Sequence, residues 1–116
     1  MMIKNICKLF IMIFFLTGAV KAEEYTSVHA KHILVKTAAQ AQEIKKAIDE
    51  GGDFDYYART YSLCPSGRNG GDLGYFGQGQ MVREFERAAF NTPVGEVSKP
   101  VYTQFGWHLI KVIDKQ

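Results

Sequence analysis

Six of the thirteen residues from Gly67 to Gly79 are glycine, and that density sets the terms for the whole chain. Each glycine costs a helix interior ~1 kcal/mol relative to alanine, so no helix can run through this stretch. The backbone must instead turn tightly several times, leaving room for one short strand near 73–76. The run fits neither G-x-x-x-x-G-K-[ST] nor a strand-following G-x-G-x-x-G, so its glycines read as geometry rather than as a phosphate cradle.

The longer regular elements lie on the two flanks. On the N-terminal side, Val28 to Lys36 is rich in β-branched residues and reads as a buried, central strand. Thr37 followed three residues later by Gln40 has capping-box spacing, and Ala41, Ile44, Ala47 and Ile48 recur at helical steps, predicting a helix over 38–50. Gly51-Gly52 ends it, Asp53 is placed to cap the next, and Phe54, Tyr57, Ala58 and Tyr61 predict a helix over 54–62. On the C-terminal side, Phe85, Ala88 and Ala89 share one face of a helix over 82–91, which Pro93 stops. Strands over 97–103 and 107–113, joined at Gln104-Phe105-Gly106, form a closing hairpin. Strands at both ends with helices between them predict an α+β layer with a mixed or antiparallel sheet.

Ahead of this domain, the first 22 residues contain no acid and three lysines, Lys4, Lys8 and Lys21, around an apolar run from Leu9 to Val20. That order, with small residues Val20 and Ala22 before Glu23, predicts a signal peptide over 1–22, cleaved after Ala22, and a domain over 23–116. The apolar run is shorter than the ~20 residues that span a hydrocarbon layer, so no stable membrane anchor is expected after cleavage. The expected location is periplasmic or secreted. Loss of the leader turns a formal charge of +2 into −1, too weak a field for nucleic acid to be an expected partner. Of the two cysteines, Cys7 leaves with the leader and Cys64 stays alone, which excludes an internal disulfide in the domain.

Three histidines and Cys64 are the residues with chemistry to offer. His29 and His32 stand three apart on a strand, face opposite ways, and lack the further ligands a zinc site needs, so no metal is expected. His29 reads as an exposed strand residue. His32 lies in register with Ala30 and Leu34, and His108 with Ile110 and Val112. Each has a plain reading as a core imidazole satisfied by one neighbour, but two of them on terminal strands are also positioned to pair across the sheet. Cys64 with a histidine is one way to build a thiol nucleophile, although no acidic orienting residue or oxyanion motif accompanies it.

Six ordered segments now make a specific match. His32-Ile33-Leu34-Val35, Cys64-Pro65-Ser66-Gly67, Gly71-Asp72-Leu73-Gly74, Gly79-Gln80-Met81-Val82, Phe85-Glu86 and Phe105-Gly106-Trp107-His108-Leu109-Ile110 have the order and spacing found in the parvulin-type peptidyl-prolyl cis-trans isomerases. From about Ala30 to Val112 the chain resembles that family, particularly its minimal single-domain members. The resemblance implies a four-stranded antiparallel sheet surrounded by helices, and an isomerase of X-Pro bonds that needs no cofactor. Its substrates would be proline-containing polypeptides, unfolded or nascent exported proteins.

By the same resemblance His32 and His108 are the paired imidazoles beneath the active site, Thr103 orients one of them, and Cys64 takes the position where parvulins carry Cys or Asp. Leu73, Met81 and Phe85 resemble the walls of the proline socket, with Phe76 near it and Gln80 placed to contact substrate backbone. Apart from the resemblance, these four apolar residues would read as ordinary core. After Lys36 the chain enters its helix at once, without the Arg-containing loop by which one parvulin branch reads phospho-Ser/Thr-Pro, so a phosphorylated substrate is not expected. Two rivals remain: a non-catalytic chaperone domain that holds peptide in the same socket, and a thiol hydrolase built on Cys64.

Overall fold

A computed structural model describes residues 25–116; the leader expected over 1–22 lies outside them. The chain runs β1 (Ser27–Val35), α1 (Ala38–Asp49), α2 (Phe54–Tyr61), a 3-10 turn (Pro65–Asn69), β2 (Asp72–Gly77), α3 (Arg83–Asn91), β3 (Val101–Thr103) and β4 (Gly106–Lys115). The four strands form one antiparallel sheet in the order β2-β1-β4-β3. β1 is central, as its composition predicts, and lies beside β4 along almost its full length.

Both faces of the sheet are covered. Val28 and Ala30 of β1 and Ile110 and Val112 of β4 pack with Phe76 and with Phe85, Ala89 and Phe90 of α3. Ile33, Val35 and Leu109 face the other way, onto Ala41 and Ile44 of α1 and Phe54 and Ala58 of α2. Two-sided burial explains why β1 and β4 lack a clean apolar-polar alternation. No helix of the described residues is long and apolar enough to cross a membrane.

Local signals account for most boundaries. The Thr37 hydroxyl accepts the Gln40 N–H at 3.1 Å and starts α1. Asp53 occupies the cap position of α2 without a side-chain hydrogen bond, and Tyr61 of the predicted apolar face is exposed. Gly71 has φ +85°, and a Cβ there would stand 2.2 Å from the His32 carbonyl oxygen, so only glycine lets β2 begin this close to β1. His32 N–H donates to the Gly71 carbonyl at 2.9 Å.

Two expectations need correction. The strand predicted over 97–103 is regular only at Val101–Thr103. Pro100 has no N–H to offer a ladder, and at Ser98 the side-chain oxygen takes the Ile110 N–H (3.1 Å), leaving Val97–Lys111 as an isolated bridge. His29 is not a plain exposed residue: its Nε2 lies 2.7 Å from Asp72 Oδ1 and its ring packs 4.9 Å from Tyr75.

Candidate active site

The central strands bring two imidazoles together. His32 pairs in register with Ile110, and His108 with Leu34, so the histidines are diagonal neighbours on the face that looks toward α3. Their Nδ1 atoms are 3.1 Å apart and the rings stack at 5.2 Å. Only 6% of His32 and 4% of His108 is exposed. Burial holds both imidazoles down, from the ordinary 6.5 to about 4; for His32 the nearness of His108 lowers it further. Both rings are therefore neutral at pH 7, and one Nδ1–H donates to the other.

β3 supplies the next link. Thr103 Oγ1 lies 2.7 Å from His108 Nε2 and accepts the Phe105 N–H at 3.1 Å. If the hydroxyl donates to His108 Nε2, His108 Nδ1–H donates on to His32; the reverse direction serves equally well. Either way His32 Nε2, buried and without a partner among the described residues, ends the chain.

Above the imidazoles lies a cleft of about 530 Å³. Its lining comprises Leu73 on β2, Gln80 and Met81 in the turn after it, Val82 and Phe85 at α3, together with Leu34, Leu63, Cys64, Pro65, Phe105, His32 and His108. Phe85 presents its ring edge-on to both imidazoles, at 5.4 and 5.1 Å. The lining holds no Lys, Arg, Asp or Glu.

The residues singled out in the sequence thus divide. His32, Cys64, Leu73, Gln80, Met81, Phe85 and His108 converge on one cleft. Thr103, 2% exposed, reaches it only through His108. Phe76 does not line it: 3% exposed, it sits in the core against Phe85 (5.9 Å) and Phe90 (6.4 Å), and touches the site only by backing Phe85. Gln80 Oε1 accepts the Gly77 N–H at 2.7 Å, which leaves its amide donors for other partners. Cys64 Sγ accepts the Ser66 hydroxyl at 3.3 Å and bonds neither imidazole, so the contact that would activate a thiol nucleophile is missing. Among the described residues no three His, Cys, Asp or Glu side chains gather as metal ligands would. Leu34, Leu63, Pro65, Val82 and Phe105 were not anticipated as lining; a large aromatic residue in a tight turn, Phe105, was the one available signal.

An antiparallel sheet wrapped by helices, with a neutral imidazole pair under an open apolar cleft, defines an α+β domain of the parvulin class. The comparisons with known proteins agree. The family described as PPIC-type PPIase domain matches residues 14–116, and the chain belongs to it. It is 54% identical over 90 residues to the foldase protein PrsA of Geobacillus kaustophilus (strain HTA426), covering 77% of this chain and 32% of that protein. The crystal structure of PrsA from Bacillus cereus superposes with a TM-score of 0.77 at 45% identity, over 79% of this chain and 36% of that one. The solution structure of NmPin, the parvulin of Nitrosopumilus maritimus, gives 0.71 at 39% identity over 77% and 97%. The chain spans about a third of the length of the curated relatives it matches.

Proposed function

We propose that this domain catalyses rotation about X-Pro bonds in exported polypeptides and so assists their folding. The reading is carried by one observation: an apolar socket of Leu73, Met81 and Phe85 opens beside Cys64, His32 and His108 in a single cleft. The family membership and the similarity to proteins named as foldases support it, and the leader composition of residues 1–22 supports export.

Rotation breaks no covalent bond, yet conjugation sets a barrier of ~18–20 kcal/mol and uncatalysed times of ~10–100 s. Acceleration comes from binding the twisted amide better than either planar form. The socket holds the proline ring, while the Gln80 amide donates to the preceding backbone. As conjugation is lost the carbonyl becomes less polar, and a cleft without charged side chains disfavours the planar, more polar ground state. Cys64 acts by local electrostatics or hydrogen bonding, not by attack. Thr103 and the imidazole pair hold sheet and pocket in shape, so His108→Phe should lower thermal stability along with activity; lost activity at unchanged stability would contradict that role.

The test is cis-trans exchange of X-Pro peptides by the full chain, followed by magnetisation transfer so that no coupling protease is needed. Accelerated exchange supports the reading. Binding of peptide with no acceleration would make the domain a holding module instead.

A further inference from the structure

β1 outruns its neighbour on one side. Its pairing with β2 ends at Lys31 opposite Asp72 and at the bond from His32 N–H to the Gly71 carbonyl, whereas β4 follows it through Val35. Backbone groups along a strand point alternately to its two neighbours, so Leu34, like His32, directs its N–H and carbonyl to the side where β2 has stopped. Backbone polar groups held away from water need partners, and the segment after α2 supplies them. Leu63 N–H donates to the Leu34 carbonyl at 2.8 Å, and Leu34 N–H donates to the Ser62 hydroxyl oxygen at 3.0 Å. A serine side chain thus stands where a neighbouring strand would offer its next carbonyl.

The same oxygen accepts a second N–H, that of Cys64, at 3.3 Å. Cys64 has two further ties: its carbonyl accepts Gly67 N–H at 2.9 Å and its Sγ accepts the Ser66 hydroxyl at 3.3 Å. Both run to the turn that follows it, and neither fixes where that turn lies against β1. The Ser62 oxygen does, because it joins the Cys64 amide to the strand that carries His32. Ser62 is itself held: its N–H donates to the Ala58 carbonyl in α2 at 3.1 Å, and Gly67 packs so closely that a Cβ there would stand 3.1 Å from Ser62 Cβ. We propose that Ser62 is a positioning residue for the isomerase: one hydroxyl oxygen, shared between Leu34 and Cys64, sets where the thiol sits relative to the imidazole pair and the rotating amide. The proposal rests on the isomerase reading and on the role given there to Cys64.

Ser62→Ala keeps the Cβ that packs on Gly67 and removes only the oxygen. A reacting group displaced by about 1 Å can cost ~100-fold in rate; with the segment still held through Leu63 the shift is smaller, so kcat should fall about tenfold. KM, set by the socket, should stay within about twofold. Both are measured on the full chain with X-Pro peptides by magnetisation transfer, and amide hydrogen exchange at Leu34 and Cys64 should quicken together. Thr37→Ala, which removes a hydroxyl that accepts one N–H at the start of α1, controls for plain destabilisation and should leave kcat unchanged. Adding Ser62→Ala to Cys64→Ala should cost less than about a further twofold, since the oxygen then has no thiol to place. An unchanged kcat in Ser62→Ala, an equal loss in Thr37→Ala, or a further loss in the double variant as large as in the wild-type background each overturns the positioning role while leaving the isomerase intact. Absence of turnover in the wild-type chain overturns the isomerase reading, and the positioning role with it.

Discussion

Acidification from pH 8 to pH 5 should strip this fold of much of its stability, well before its carboxylates protonate. His32 and His108 are both held at about 4 against an ordinary 6.5 because burial penalises the charged ring. The unfolded chain therefore takes up protons below pH 6.5 that the folded chain refuses. The stability these rings contribute is complete above pH 6.5 and is lost as pH falls toward 4. At pH 5 the linkage amounts to ~2 kcal/mol for each imidazole, ~4 kcal/mol for the pair. A domain of this size has ~5–14 kcal/mol in all, and at ~4–8 °C per kcal/mol the Tm should fall by roughly 15–30 °C. Asp72, whose carboxyl is held below its usual range chiefly by the Gly74 N–H, titrates under this window and does not confuse it. Calorimetric melts at constant ionic strength between pH 8 and pH 5 measure the effect, with His108→Phe expected to halve the slope. Equal Tm values at the two ends, or an undiminished slope in His108→Phe, would refute the claim that burial keeps the pair neutral.

Three further outcomes follow from the geometry. Gly71→Ala should cost ~3 kcal/mol or more, through a positive φ and a clash with the His32 backbone, read as a lowered denaturation midpoint. Thr103→Val keeps the shape but deprives His108 Nε2 and the Phe105 N–H of their partner, so urea titration should find it ~1–3 kcal/mol less stable. Cys64→Asp should retain more isomerase activity than Cys64→Ala; equal loss in both would remove the electrostatic role assigned to the thiol.

How much of this was legible in the sequence varied with the range of the interaction that decides it. Thr37, Gly51 and Pro93 act within a few residues, and the helices they bound lie within a residue or so of where spacing put them. The imidazole pair was legible as two histidines on apolar strand registers, and the resemblance gave them a common purpose. The β3 boundary was not, because it depends on Ser98 meeting Ile110 from across the hairpin. Phe76 sits in a segment that otherwise supplies the cleft; the register shift in β2 puts Leu73 and Phe76 on the same face, but Phe85 and Phe90 cover Phe76 while Leu73 lines the cleft. Leu63 and Phe105 as lining residues were hidden because they come from two loops far apart in sequence that share one cleft only in the fold.

The shortness of β3 bears on a hazard that the proposed function would bring. An open sheet border with free amide and carbonyl groups is a template for any extended polypeptide, and a domain acting on unfolded chains, as proposed above, would meet such polypeptides constantly. Here one border is three residues long and is preceded by Pro100, while the other, β2, is interrupted by a register shift opposite His29 and Lys31. A polypeptide bound as proposed above would thus find an apolar cleft but little border on which to add a strand, which would favour release over co-aggregation.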